Sequence, residues 1–221
     1  MKTSVISCRT IEDELTAAMK RAGADYPVVW LESGLHNTPK KLNETLAGEI
    51  ERLDCERILL AMGFCGNSLG GLTSRTAEII VPRVDDCISL LLGGVPRRLA
   101  VSSEYSAYFL TEGWLRGERN LWVEYQYSVE KYGEEQAQMI AEMMYGHYRT
   151  LALLDTGLSD MTAFTDRTKE IAETFHMKQA IVPATLDRLC ALLTGPWDRA
   201  HYLIVPPGES IAAGDMIPEQ I

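Results

Sequence analysis

The residue types that could do chemistry in this chain are three cysteines and a histidine, each standing just beyond a short apolar run. Ser4–Ser7 ends in Cys8, and Val28–Leu31 leads through Glu32-Ser33-Gly34-Leu35 to His36. Ile58–Met62 runs into Gly63-Phe64-Cys65-Gly66, and Ile79-Ile80-Val81-Pro82 leads to Asp85-Asp86-Cys87. Three thiolates suit zinc with one exchangeable position, or an iron–sulfur cluster with one open iron, and His36 is a candidate fourth ligand. No two of Cys8, Cys65 and Cys87 form a Cys-x-x-Cys pair, so only the fold can bring them together. The ordinary alternative is burial, because free cysteine packs as a small hydrophobe. On that ground Cys190, on the Leu186, Leu189, Leu193 face, and Cys55, just after a helical stripe, read as structural.

The loop around Cys65 offers two further chemistries. Gly63, Gly66 and Asn67 are the candidate cofactor-binding positions, since glycine lets backbone approach a ligand closely. Gly66-Asn67-Ser68-Leu69-Gly70 also matches the Gly-x-Ser-x-Gly nucleophile elbow, with Asp155 and then His176 or His201 following in hydrolase order. Ser68 would be the nucleophile of that serine-hydrolase alternative, although it lies six residues past Met62 rather than at the strand end. The loop has neither Gly-x-Gly-x-x-Gly nor a Walker lysine, and His-Glu-x-x-His is absent from the chain. Asp85-Asp86 could bind a cation, and Arg75, Arg83, Arg97 and Arg98 an anionic substrate; both sets read equally as solvated charge. Tyr105, Tyr108, Trp114, Trp122, Tyr125 and Tyr127 could wall a planar cofactor, or serve as core and a dimer face.

The elements that must position these residues alternate in period. Buried parallel strands read as short apolar runs between helical stripes, and ligands bind outside their carboxyl ends. After Cys8, Thr10-x-x-Asp13 reads as a helix start, with Ile11, Leu15, Ala18, Met19 and Ala22 at helical spacing and Gly23 to end it. Thr38-Pro39 opens a second helix with the stripe Leu42, Leu46, Ile50, Leu53. Near the end, Leu151–Leu154 into Asp155, a helix over 166–175, Ala180-Ile181-Val182, a helix over 185–193 stopped by Gly195-Pro196, and Tyr202–Val205 repeat the grammar. The spacing predicts one α/β unit over 1–221, a doubly wound and mostly parallel sheet from two βαβαβ halves, 1–72 and 150–210. A middle region, 73–149, carries long helices from about Glu118 to Arg149 broken near Gly133, and 211–221 is a tail without a clear period.

Composition narrows the class. With 46% hydrophobic and 24% charged residues, 221 residues can bury a full core. The net charge is −10 and no basic cluster exists, which disfavours nucleic acid. Apolar runs fall far short of the roughly 20 residues that span a bilayer, and the N-terminal run is too short for a signal peptide. The expected setting is the cytoplasm, where thiols stay reduced, and the expected partners are a small-molecule ligand and a second copy of the chain or another protein. Trp114 and the Tyr105–Tyr108 segment are the candidate anchors for a protein partner.

An ordered set of residues carries a family resemblance over nearly the whole chain. Cys8 with Glu14-Leu15, Leu35-His36, Gly63-Phe64-Cys65-Gly66-Asn67, Pro82-Arg83-Val84-Asp85-Asp86-Cys87, Leu91-Leu92-Gly93, Tyr108 through Trp114, Asp155-Thr156 and Pro207-Gly208 make up the set. It resembles an uncharacterised domain-of-unknown-function family of bacteria and archaea, often encoded near corrinoid-dependent methyltransferases. Cys8, Cys65 and Cys87 fall on that family's cysteine positions, whereas the position of Ser68 is not reliably serine there. The resemblance supplies no catalytic residues. It implies a context of methylamine, betaine or related one-carbon metabolism, with a corrinoid protein or its methyltransferase as partner. Taken together, the expectation is a cytosolic metal-thiolate protein, zinc or iron–sulfur, acting in or assisting corrinoid-dependent methyl transfer. The alternatives are a non-catalytic module for a small ligand, corrinoid or haem, and the hydrolase.

Overall fold

The computed structural model describes residues 1–117 and 119–216. In chain order its elements are β1 (Thr3–Cys8), α1 (Glu12–Ala22), β2 (Val28–Leu31), α2 (Pro39–Arg52), β3 (Arg57–Ala61), β4 (Glu78–Pro82), α3 (Cys87–Leu91), α4 (Val95–Tyr105), β5 (Ala107–Leu110) and α5 (Glu112–Leu115). There follow α6 (Leu121–Tyr132), α7 (Glu134–Tyr145), β6 (Thr150–Asp155), α8 (Met161–Arg167), α9 (Lys169–Thr174), β7 (Lys178–Pro183), α10 (Asp187–Thr194) and β8 (Tyr202–Val205).

The fold is α/β with mostly parallel pairing, as the alternating periods predict. The strands are shared between two sheets. The first has the order β2-β1-β3-β4-β8, parallel except for β8, which runs antiparallel along β4. The second is all parallel, β5-β6-β7. The middle segment therefore supplies a strand to each sheet, and β8 leaves the second half to cover the edge of the first. Apolar runs report burial, not neighbours, so this division is invisible in the sequence.

One core joins the sheets. Val5, Leu59 and Ile80 of the first sheet and Ala152, Leu154 and Val182 of the second pack with Leu15, Leu90 and Leu189 from the intervening helices. On the other face of the first sheet, Leu42, Leu46 and Ile50 of α2 meet Ile6, Ile58, Leu60 and Val81, as their stripe predicts, with Leu53 at its half-buried end. Beyond the second sheet, Leu121, Ala141, Phe164 and Phe175 cover Leu110, Leu151 and Leu153.

Local expectations fare unevenly. Gly23 ends α1 in the left-handed region, and α6 and α7 break at Gly133 (φ 84°). Glu118, where the long helices were expected to begin, lies outside the described residues. Thr10 does not cap: it sits in a buried 3-10 turn, Arg9–Ile11, and α1 begins at Glu12. The helix expected over 166–175 is two short ones that meet at Thr168, whose main-chain N–H (3.1 Å) and hydroxyl (2.8 Å) both donate to Phe164 O. Ile211 is buried, and Gly71 and Leu72 bond its main chain at 2.8 and 2.9 Å. The rest of the tail, from residue 217, lies outside the described residues. No described helix is long and apolar enough to cross a membrane.

Candidate functional site

Parallel pairing puts the carboxyl ends of β1, β2, β3 and β4 on one edge. Cys8 closes β1 beside Leu31 of β2, and Ser7 faces Ala61 of β3, whose carbonyl accepts from the Ser7 hydroxyl at 3.1 Å. The loops after β3 and β4 then lock together. Phe64 N donates to Val84 O at 2.9 Å and Cys65 N to Asp85 O at 2.8 Å. Gly63 is required here, since a Cβ at that position would overlap the Asp86 main chain, coming within 2.5 Å of its Cα. The turn carries Cys65 in the left-handed region (φ 45°), a conformation L-residues seldom adopt and one found at functional sites. Cys87 begins α3, two residues past the carbonyl that holds Cys65.

Cys8 is near enough to raise the proton affinity of Cys65, and both of them raise that of Cys87. Burial pushes Cys8 up to about 11. Burial, then Cys8 and the carboxylates of Asp86 and Asp85, push Cys65 up to about 12, and Cys87 is driven well up by burial and then Cys65. Burial thus favours the neutral thiol over the thiolate at all three positions. Asp86 is raised by burial and caps α3 by accepting from Ser89 N (2.8 Å). Asp85 accepts from the Ser89 hydroxyl and the Arg98 guanidinium, which braces the loop from α4. His36 is half-buried, with its ring edge-on to Trp114 at 5.5 Å between centroids. Burial lowers its proton affinity and the charge of Asp86 opposes this, so the imidazole borders the same acidic loop. Among the described residues, no three of His, Cys, Asp and Glu are already gathered as a metal-holding group.

The other candidates lie elsewhere. Gly66 and Asn67 are exposed at the tip of the Cys65 loop, whereas Gly63 is buried and positions it. Ser68 is fully buried and its hydroxyl donates to Phe64 O at 2.9 Å, a turn-stabilising bond. Asp155 ends β6 in the other sheet and accepts from Gly157 N at 2.9 Å. The elbow pattern at Ser68 thus comes from a glycine-rich turn, and the geometry gives the hydrolase alternative no support. Cys55 is buried, and Cys190 packs half-buried with its thiol 3.8 Å from Ala18 O.

Two clefts of about 400 Å³ border this edge. One is lined by His36, Tyr108, Trp114, Arg119, Glu124 and Tyr145, among others. The second is lined by Asp86, Arg98, Ser102, Phe109, His147 and Tyr148, with two small residues beside them. Arg119 and His147 carried no motif and were not legible in advance. Glu14 was missed although its signal was present: it stands one turn from Ile11 and Ala18, inside the apolar stripe of α1. It is buried, one carboxylate oxygen has no hydrogen-bond partner, and burial raises its pKa to about 7.

A family model described as "Protein of unknown function (DUF1638)" matches residues 30–193. No curated protein and no solved structure matches the chain.

Proposed function

The chain belongs to this family of unknown function, and from that premise we propose that it is a cytoplasmic metal-thiolate protein acting in or assisting corrinoid-dependent methyl transfer. The observation that carries the metal half is the placing of three thiols at the carboxyl ends of three neighbouring strands, β1, β3 and β4, with Cys65 main chain bonded to the loop that leads to Cys87. The donor set suits a soft ion: Cys8, Cys65 and Cys87 would hold it and His36 would stand as the fourth candidate. No such group is preformed among the described residues, so binding would have to draw the three thiols together. Zinc would keep the thiolates deprotonated at neutral pH and leave an open position for a substrate thiol; a three-cysteine iron–sulfur cluster is the alternative cofactor.

The chain's own residues have definite parts in this reading. Arg98 and Asp85 brace the loop that carries Cys87, and Gly63 lets the Cys65 loop lie against it. The His36–Trp114 cleft is the substrate side of the site, aromatic with one arginine and one carboxylate. The methyl-transfer half, the one-carbon context and the corrinoid-protein partner rest on the family resemblance. Protein purified without oxygen should carry stoichiometric zinc, or iron and sulfide with a brown absorbance. Cys8→Ser, Cys65→Ser and Cys87→Ser should each lose it, while Cys190→Ser keeps it. Retention by all three variants would overturn the assignment. The cleft favours a second reading, a small-ligand module without thiolate metal, for which a pink or red chromophore in all four variants would be the mark.

A further inference from the structure

The second sheet carries a surface unlike the rest of the molecule. Among the described residues ten large hydrophobic side chains are exposed, and six of them belong to the α6–α7 hairpin: Val123, Tyr127, Tyr132, Met139, Met143 and Met144. Met143 is 84% exposed and Met139 65%. The inner side of the hairpin is accounted for, since Leu121, Ala137 and Ala141 are buried, so these six are not core residues displaced outward.

Their placement forms a stripe. Val123 and Tyr127 are one turn apart on α6, as are Met139 and Met143 on α7. The hairpin folds back at Gly133. Val123 and Met143 both stand ten residues from that glycine, and Tyr127 and Met139 both stand six, so the pairs lie at matching heights across the two helices. Charge surrounds the stripe unequally. Residues 121–145 contain Glu124, Glu130, Glu134, Glu135 and Glu142 against Lys131 alone, a net charge of −4 within a chain of −10. Lys131 lies over the rings of Tyr127 and Tyr132 near the turn. Glu130, Glu134, Glu135 and Glu142 are exposed, whereas Glu124 accepts from the Tyr145 hydroxyl (2.5 Å) on the cleft side.

We propose that the outer face of the α6–α7 hairpin docks a basic amphipathic helix of a partner protein. An apolar stripe two helices wide matches the apolar face of a third helix, laid along it with anchors one turn apart. Methionine side chains are flexible and polarizable and suit a surface that moulds to its occupant. The glutamates select a partner whose flanks carry lysine or arginine. A second copy of this chain is the wrong occupant, because two such faces would set acidic surface against acidic surface. Of the anchors expected from sequence, Trp114 and Tyr108 are half-buried against the second sheet's outer core and Tyr105 against the core between the sheets, and none is part of this face.

The test uses the full chain and defined peptides. A leucine/lysine peptide of roughly 18 residues with its leucines at helical spacing should bind and shift the methyl resonances of Met139, Met143 and Met144. The same composition with its periodicity scrambled should bind at least about tenfold more weakly, and a leucine/glutamate helix should not bind. Met139→Ser with Met143→Ser should weaken the first peptide about tenfold or more, at unchanged circular dichroism and melting temperature. Equal affinity for the scrambled peptide would reduce the effect to net charge and overturn the proposal. So would no binding of the amphipathic peptide, or light scattering that shows a dimer dissolved by the two methionine substitutions.

Discussion

The two sheets are built by the same grammar and end differently. In the first, the end of β1 and the connections after β3 and β4 carry Cys8, Cys65 and Cys87, and the backbone there holds a left-handed cysteine and a glycine pressed on a neighbouring loop. In the second, the strand ends serve local structure. Thr111 caps α5 by accepting from Trp114 N (3.1 Å), and Asp155 holds its own turn. What the second sheet offers instead lies on its far side, an acidic helical hairpin with exposed methionines. A parallel strand end is therefore a place where a site can be built, and the residue type and backbone strain decide whether one is.

Predictions can break this contrast. The largest effect is expected at the thiols: replacing Cys65 by serine should remove bound metal altogether in our reading, while Asp155→Asn leaves metal content unchanged, as measured by elemental analysis of the purified variants. Equal loss in both would erase the difference between the sheets. Next come two glycines at comparable contacts. Gly63→Ala would press on the Asp86 main chain, and Gly113→Ala would bring its Cβ within 2.5 Å of Thr10 O across the two sheets. Overpacking of this kind costs about 1–3 kcal/mol, so both should lower the urea midpoint, yet only Gly63→Ala should also lower metal occupancy.

Glu14 sharpens the comparison from within the shared core. Its folded pKa is raised above the unfolded value, so its contribution is complete below about pH 4.5 and is lost as pH rises through about 7. Glu14→Gln should therefore match the parent near pH 4 and exceed it at pH 8 by on the order of 2 kcal/mol in urea unfolding. A constant difference across that range would mean that the carboxylate is not the destabilising species. The smallest effect is expected at Ser68. Ser68→Ala removes one buried bond worth about 1 kcal/mol, and metal content should not change.

Much of this was legible in the chain because burial leaves a period. β2 falls on Val28–Leu31 as its apolar run indicates, the α2 stripe faces the first sheet, and Gly133 divides the long helices. Partners in a sheet leave no such mark. Tyr202–Val205 has the composition of any short buried strand, and only tertiary packing turned it antiparallel against β4. Side-chain competition was equally hidden: Thr10 and Asp13 match a capping pattern, but Thr10 was drawn into the core under α5. At the site, the positions of the thiols could be read from strand ends, whereas the brace of Asp85 by Arg98 and the meeting of His36 with Trp114 depend on residues far apart in the chain.

The most direct test of the central claim is X-ray absorption at the metal edge of protein purified without oxygen. A thiolate site predicts a sulfur shell at about 2.3 Å, with three sulfurs if zinc is bound, that is lost in Cys65→Ser and kept in Cys190→Ser. A shell of nitrogen and oxygen alone, or no bound metal in reduced and correctly folded protein, would contradict it.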